Sequence, residues 1–157
     1  MGFLWERAIH HVWVEFMQNQ PLNWDLQVQV QKDGIHMTPD GVSFKTEEDG
    51  SSVPNKLIEC KATWRSLRRW EEDPEEEFAV WFWQVKAYMH ALGLNTGQFY
   101  NVFVNGDYRY KQGRGPIVVT QEFTFCQQEL EDNWAEILAY KEIHAKTIPH
   151  PVPGGAA

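Results

Sequence analysis

Apolar and polar residues recur along this chain with a period that changes several times. Over residues 3–18, Ile9, Val12, Trp13 and Phe16 repeat at spacings of three and four, which lines one face of a helix. Pro21 ends that pattern. From residue 26 to residue 31 the period falls to two, with Leu26, Val28 and Val30 set against Gln27, Gln29 and Gln31, as in a half-exposed strand. Asp33-Gly34 supplies a hairpin turn, and a second strand is expected over residues 35–44. After the polar stretch Glu47-Glu48-Asp49-Gly50-Ser51-Ser52 a third strand is expected over residues 56–63, which makes a three-stranded meander.

A helix is predicted over residues 75–92, where Phe78, Phe82, Val85, Met89 and Leu92 form an apolar stripe and Gly93 stands at the C-terminal end. A strand over residues 98–104 follows, then the turn Asn105-Gly106-Asp107, a hairpin arm over residues 108–111 and a strand over residues 117–123. Thr124 with Gln127 matches a capping box, and Leu130, Trp134, Ile137 and Leu138 give the last helix its apolar face. This order points to one α/β domain over residues 1–148, a central mixed sheet flanked by helices, with a loose tail over residues 149–157.

A chain of 157 residues can bury a core without disulfide or metal staples. Hydrophobic residues at 43% and charged residues at 23% exclude the disordered and membrane classes, so a soluble folded protein is expected. The first residues show no basic stretch followed by an uninterrupted apolar run, so neither a secretion signal nor a membrane span is expected. Cys60 and Cys126 stand far apart with no metal-finger spacing, which favours a reducing, cytoplasmic setting. Net charge changes the picture: at −8 the surface as a whole repels a polyanion. The acid is uneven, however. Six carboxylates crowd residues 71–77, directly after Arg65, Arg68 and Arg69, which read as a local basic patch able to touch phosphates.

Chemistry concentrates on the third strand. Glu59 and Lys61 are two apart, so the pleat turns both to one face while Ile58, Cys60 and Ala62 turn to the other. Such a pair alone is most often a surface ion pair. In the preceding strand, Thr38-Pro39-Asp40-Gly41 reads either as a plain turn or as a break in the ladder at Pro39 that projects Asp40 beside Glu59. Two such carboxylates suit Mg²⁺ or Mn²⁺, hard cations that keep several waters and bind phosphate oxygens. Lys61 could then orient the attacking water or offset charge on phosphoryl oxygens.

Pro39-Asp40, eighteen intervening residues and Glu59-Cys60-Lys61 together resemble the PD-(D/E)XK nucleases. Gln84-x3-Tyr88 is similar to the QxxxY motif of the RecB-type and phage exonuclease branch, and Gly2-x3-Glu6 to that branch's first-helix motif. The resemblance implies a restriction-endonuclease-like core in α-β-β-β-α-β order. It implies metal ligation by Asp40, Glu59 and the main-chain carbonyl of Cys60, with Glu6 within reach of the metal, Lys61 as catalytic lysine, and Gln84 and Tyr88 positioning site groups and DNA. With two cysteines, no iron-sulfur cluster is expected.

The activity implied is a metal-dependent deoxyribonuclease, an exonuclease or end-processing enzyme of replication, recombination or repair, of phage or mobile-element type. Ring-forming relatives leave a homo-oligomer open. DNA contacts would fall to Arg65, Arg68, Arg69 and Tyr88, with Lys86, Arg109, Lys111 and Arg114 as further phosphate contacts and His10 sharing the Glu6 face. Two other readings stand beside it. One is a nuclease-fold protein that binds nucleic acid or a partner without cutting, which the net charge favours. The other is an aromatic-rich ligand-binding domain, since Trp64, Trp70, Trp81 and Trp83 surround the same segment, although most such residues belong to cores.

Overall fold

The computed structural model describes residues 24–26, 28–104 and 116–147. The helix read over residues 3–18 lies outside these, as do Gly2, Glu6, His10, the turn after Val104, the arm at residues 108–111, Arg109, Lys111, Arg114 and the tail. In the described residues the order is β1 (Trp24–Leu26), β2 (Val30–Lys32), β3 (Ile35–Met37), β4 (Gly41–Thr46), β5 (Ser52–Thr63), α1 (Leu67–Glu72), α2 (Pro74–Glu77), α3 (Ala79–Leu92), β6 (Thr96–Phe103), β7 (Ile117–Thr124) and α4 (Gln127–Thr147).

Five strands form one sheet in the order β1-β4-β5-β6-β7. The β5 and β6 pair is parallel and the other neighbours are antiparallel. A parallel pair needs a crossover, which α1, α2 and α3 supply. The fold is thus a mixed α/β architecture, a mixed sheet flanked by helices, and the expected class holds at that level. Among the described residues no helix is long and apolar enough to cross a membrane.

The three-stranded meander does not form as read. The run over residues 35–44 divides at Thr38-Pro39-Asp40, and its two halves join different sheets: among the described residues β3 pairs only with β2 in a two-stranded sheet, while β4 pairs with β1 and β5. Pro39 has no N–H to give a ladder, and the chain bends there. The β2-β3 turn is the one expected, with Asp33 at φ 50° and Gly34 at φ 72°, both left-handed as a tight two-residue hairpin requires. This small hairpin is tied to the helices. Trp134 Nε1 donates to Asp33 Oδ2 at 2.9 Å, and Lys32 Nζ donates to the His90 carbonyl at 3.3 Å.

The helix read over residues 75–92 is two helices, and a further one, α1, precedes them. Asp73 caps α2 by accepting from the Glu76 amide at 3.0 Å, with Pro74 at the first helical position. Phe78 then leaves helical geometry at φ −123°, and α3 restarts at Ala79. Aromatic packing accounts for the break: the Phe78 ring sits 5.4 Å from Trp70 and 4.5 Å from Trp81. The capping box at Thr124 is also displaced. Thr124 closes β7, and Glu129 accepts from the Cys126 amide at 2.8 Å to cap α4.

The core lies between the sheet and α3. Leu57, Phe99 and Phe103 from the sheet meet Val85 and Met89 from α3, with Leu130 and Trp134 of α4 packed behind them. Each such side chain contributes about 1.5–3 kcal/mol when fully buried. The face of β5 and β6 that carries Leu57, Phe99 and Phe103 is the face that receives Glu59, Lys61 and Asn101, since alternate residues share a side.

Candidate functional site

The β4–β5 register pairs Gly41 with Ile58, so the bend residue Asp40 stands beside Glu59. Asp40 Oδ2 accepts from the Cys60 amide at 2.8 Å. A strand residue directs its N–H and C=O to the same side, so the Cys60 carbonyl also faces Asp40, beyond the last β4 pairing at Gly41. Burial raises the Asp40 pKa above the ordinary carboxylate value, against the opposing pull of the Cys60 amide and the Lys61 charge.

Glu59 is 2% exposed. Its Oε1 accepts from Lys61 Nζ at 2.6 Å, and its Oε2 has no hydrogen-bond partner among the described residues. Burial pushes its pKa up to about 7; the Lys61 charge pulls it down and the Asp40 charge pushes it up. The same ammonium donates to Gln84 Oε1 on α3 at 2.8 Å. Gln84 Nε2 in turn donates to the Tyr88 hydroxyl one helical turn later. Tyr88 is raised above its ordinary pKa by burial, opposed by Gln84 and reinforced by the charges of Glu59 and Asp40.

Five of the residues singled out from the sequence therefore meet at one place: Asp40, Glu59, Lys61, Gln84 and Tyr88. Among the described residues there is no group of three or more His, Cys, Asp or Glu placed to hold a metal ion. A pair of carboxylates with a nearby carbonyl is nonetheless the kind of donor set that suits a cation retaining most of its water. The buried, unpartnered Glu59 Oε2 is an acceptor in search of positive charge, so the residues present fit such an ion.

The basic patch differs from expectation, because the acidic run folds back onto it. Arg68 pairs with Glu72, Arg69 Nη1 lies 2.9 Å from Glu77 Oε2, and Arg65 binds the Glu77 carbonyl with its guanidinium 5.3 Å above the Phe78 ring. Exposed pairs of this sort contribute only about 0–1 kcal/mol, so phosphate could displace them. Lys86 lies 3.9 Å from Glu129 and over the Phe125 ring. Of the four tryptophans, Trp70 is core and Trp81 partly so, while Trp64 and Trp83 are exposed at 60% and 42%. A recess of about 420 Å³ opens at the C-terminal end of β5, between Ala62 and Thr63 and, across the α2–α3 junction, Phe78 and Trp81; none of the five gathered residues lines it. One residue escaped sequence reasoning altogether: Asn101, fully buried on β6 opposite Lys61. The only signal for it was a polar amide inside the otherwise apolar run Phe99 to Val104.

No protein-family model matches the chain, and no curated protein is similar to it. Among solved structures, the crystal structure of SSO0001 is similar at a TM-score of 0.41 and 12% identity over 85% of this chain. The chain spans 58% of the length of that protein. A likeness of that size carries no argument about fold family or activity. What the fold defines is a mixed α/β protein with a buried Glu paired to a partly buried Lys on the central strand of its sheet.

Proposed function

We propose that this chain is a Mg²⁺- or Mn²⁺-dependent nuclease of the PD-(D/E)XK kind, with a restriction-endonuclease-like core, hydrolysing DNA phosphodiester bonds. One observation carries the reading: Lys61 Nζ bridges Glu59 Oε1 at 2.6 Å and Gln84 Oε1 at 2.8 Å while Asp40 stands beside Glu59. Residues from three separate stretches of sequence, each already matching one motif of the resemblance, gather around a single amine.

Asp40, Glu59 and the Cys60 carbonyl would hold the metal, which supplies Lewis acidity and lowers the pKa of bound water when present. The chain's own residues do the rest. Lys61 offsets negative charge on the phosphoryl oxygens and directs the nucleophile. Gln84 fixes the amine from the helix side, and Tyr88 fixes Gln84. Water adds to phosphorus as the bond to the leaving oxygen breaks, giving a phosphomonoester end and a hydroxyl end. An exonuclease or end-processing role in the cytoplasm, acting in DNA replication, recombination or repair, is the biological setting this activity fits.

The test is incubation with linear and circular DNA in Mg²⁺, Mn²⁺ or EDTA, beside Lys61→Ala. Cleavage that needs the metal and vanishes in the variant is the expected result. Cleavage equal in Lys61→Ala and the parent would overturn the site assignment, and absence of cleavage with either metal would overturn the enzymatic reading. A second reading, binding without cutting, is favoured by the pairing of Arg65, Arg68 and Arg69 with the acidic run and by the net charge of −8. Under it, DNA or a partner is retained in a pull-down and no product appears.

A further inference from the structure

Asn101 lies on β6 with Lys61 as its register partner on β5 and Val119 as its partner on β7. Partnered residues in adjacent strands turn to the same face about 4.8 Å apart, so the amide shares the face of Glu59 and Lys61, between the core rings of Phe99 and Phe103. Its exposure is 0%, and neither Oδ1 nor Nδ2 has a hydrogen-bond partner among the described residues. An apolar side chain at this position would pack against those rings without cost, whereas a buried amide with neither group bonded is strongly disfavoured. Something must engage it.

Lys61 is the neighbour with a donor to offer. An ammonium has three N–H groups, and Glu59 Oε1 and Gln84 Oε1 take two. Glu59 Oε2 supplies a further unpaired acceptor on the same face. Buried polar groups that make no direct bond to one another are commonly joined by one buried water that makes two to four bonds.

We infer that Asn101 is a positioning residue for Lys61, its amide taking up across one bound water the ammonium N–H that Glu59 and Gln84 leave over. The amine is then held from three directions: by Glu59 along its own strand, by Gln84 from α3 and by Asn101 from β6. Its freedom to swing toward solvent is removed before any substrate arrives. The consequence for catalysis rests on the nuclease reading, but the arrangement of the amine does not.

The experiment uses ¹⁵N-labelled full-length protein and reads the Lys61 ammonium directly by its hydrogen exchange with solvent. Asn101→Leu keeps the branched heavy-atom shape and removes both polar groups, and its Lys61 ammonium is expected to exchange at least about threefold faster. Asn101→Thr keeps an acceptor and is expected to restore slow exchange. In Lys61→Met, the side-chain amide resonances of Asn101 shift, a reading that needs no substitution at Asn101 and decides the matter if Asn101→Leu does not fold. Unchanged Lys61 exchange in a folded Asn101→Leu, or unmoved Asn101 resonances in Lys61→Met, overturns the inference. Where DNA cleavage is measurable, Asn101→Leu lowers kcat and leaves KM unchanged. A protein that cleaves no DNA but passes the exchange test loses the nuclease reading and keeps this one.

Discussion

The ammonium of Lys61 donates to Oε1 of Gln84 at 2.8 Å, which ties the central strand β5 to the helix α3. The two residues are 23 positions apart, and the bond exists because α3 packs its apolar face, Phe82, Val85 and Met89, onto the same side of the sheet. The position of the amine thus depends on the packing of the core as well as on its own strand.

Gln84→Ala removes one of the two acceptors and is expected to lower kcat/KM for DNA cleavage about tenfold, the size of one hydrogen bond to a charged group. Tyr88→Phe removes the hydroxyl that holds Gln84 and is expected to cost less. A double-mutant cycle checks the relay: the effect of Tyr88→Phe should largely disappear in the Gln84→Ala background. Equal effects in both backgrounds would mean that Tyr88 does not act through Gln84.

Glu59 makes folding depend on pH. Its folded pKa of about 7 lies above the ordinary 4.5, so the protonated form is favoured in the folded state. The stability it contributes is complete below about pH 4.5 and is lost as pH rises through about 7, on the order of 3 kcal/mol in the metal-free protein. Thermal denaturation in EDTA between pH 5 and pH 8 should show this decline. Glu59→Gln should flatten it, and an equally steep decline in that variant would rule out Glu59 as its source.

Lys61→Met separates the same pH values further. The Lys61 charge is what lowers the Glu59 pKa, so removing it raises that pKa and deepens the penalty of ionising Glu59. Parent and variant are expected to melt close together at pH 5, where Glu59 is neutral, and to diverge at pH 8, where it carries an uncompensated buried charge. Identical differences at the two pH values would contradict the pairing.

Divalent metal should offset the burial of Glu59. At about 100 times its dissociation constant, an ion that binds only the folded state adds about 2.7 kcal/mol. Mg²⁺ or Mn²⁺ is therefore expected to raise Tm at pH 8 in the parent, and to do so far less in Asp40→Asn or Glu59→Gln. A rise of the same size in all three would place the ion elsewhere.

Gly97 tests the packing beneath the site. A Cβ there would collide with the Phe123 ring and come within 3.3 Å of Leu57 Cβ. Gly97→Ala is expected to lower stability by about 1–3 kcal/mol, read from the denaturant midpoint. No change in midpoint would mean that β7 shifts freely against β6.

Much of the local structure was legible because each element carries its own period. Glu59 and Lys61 could be placed on one face from their spacing alone, the Asp33-Gly34 turn from its two residues, and the α4 face from Leu130 and Trp134. The division at Pro39 was visible as a missing donor, yet nothing local said that β3 and β4 would join separate sheets. The helix break at Phe78 was hidden, since Phe78 fits the stripe of α3 as well as it fits the ring cluster around Trp70 that claims it. Arg65, Arg68 and Arg69 read as a basic patch because charge along a chain does not reveal which carboxylates fold back to meet it.

By itself the sequence determined which residues share a face and where the chain must turn, because backbone geometry and the burial of apolar side chains act over a few positions. Only the tertiary structure decided that β5 and β6 lie parallel, that Gln84 reaches Lys61, and that Asn101 is buried beside them without a partner in the described chain. Those relations join residues from 23 to 40 positions apart, and they follow from how whole elements pack, which no local pattern encodes.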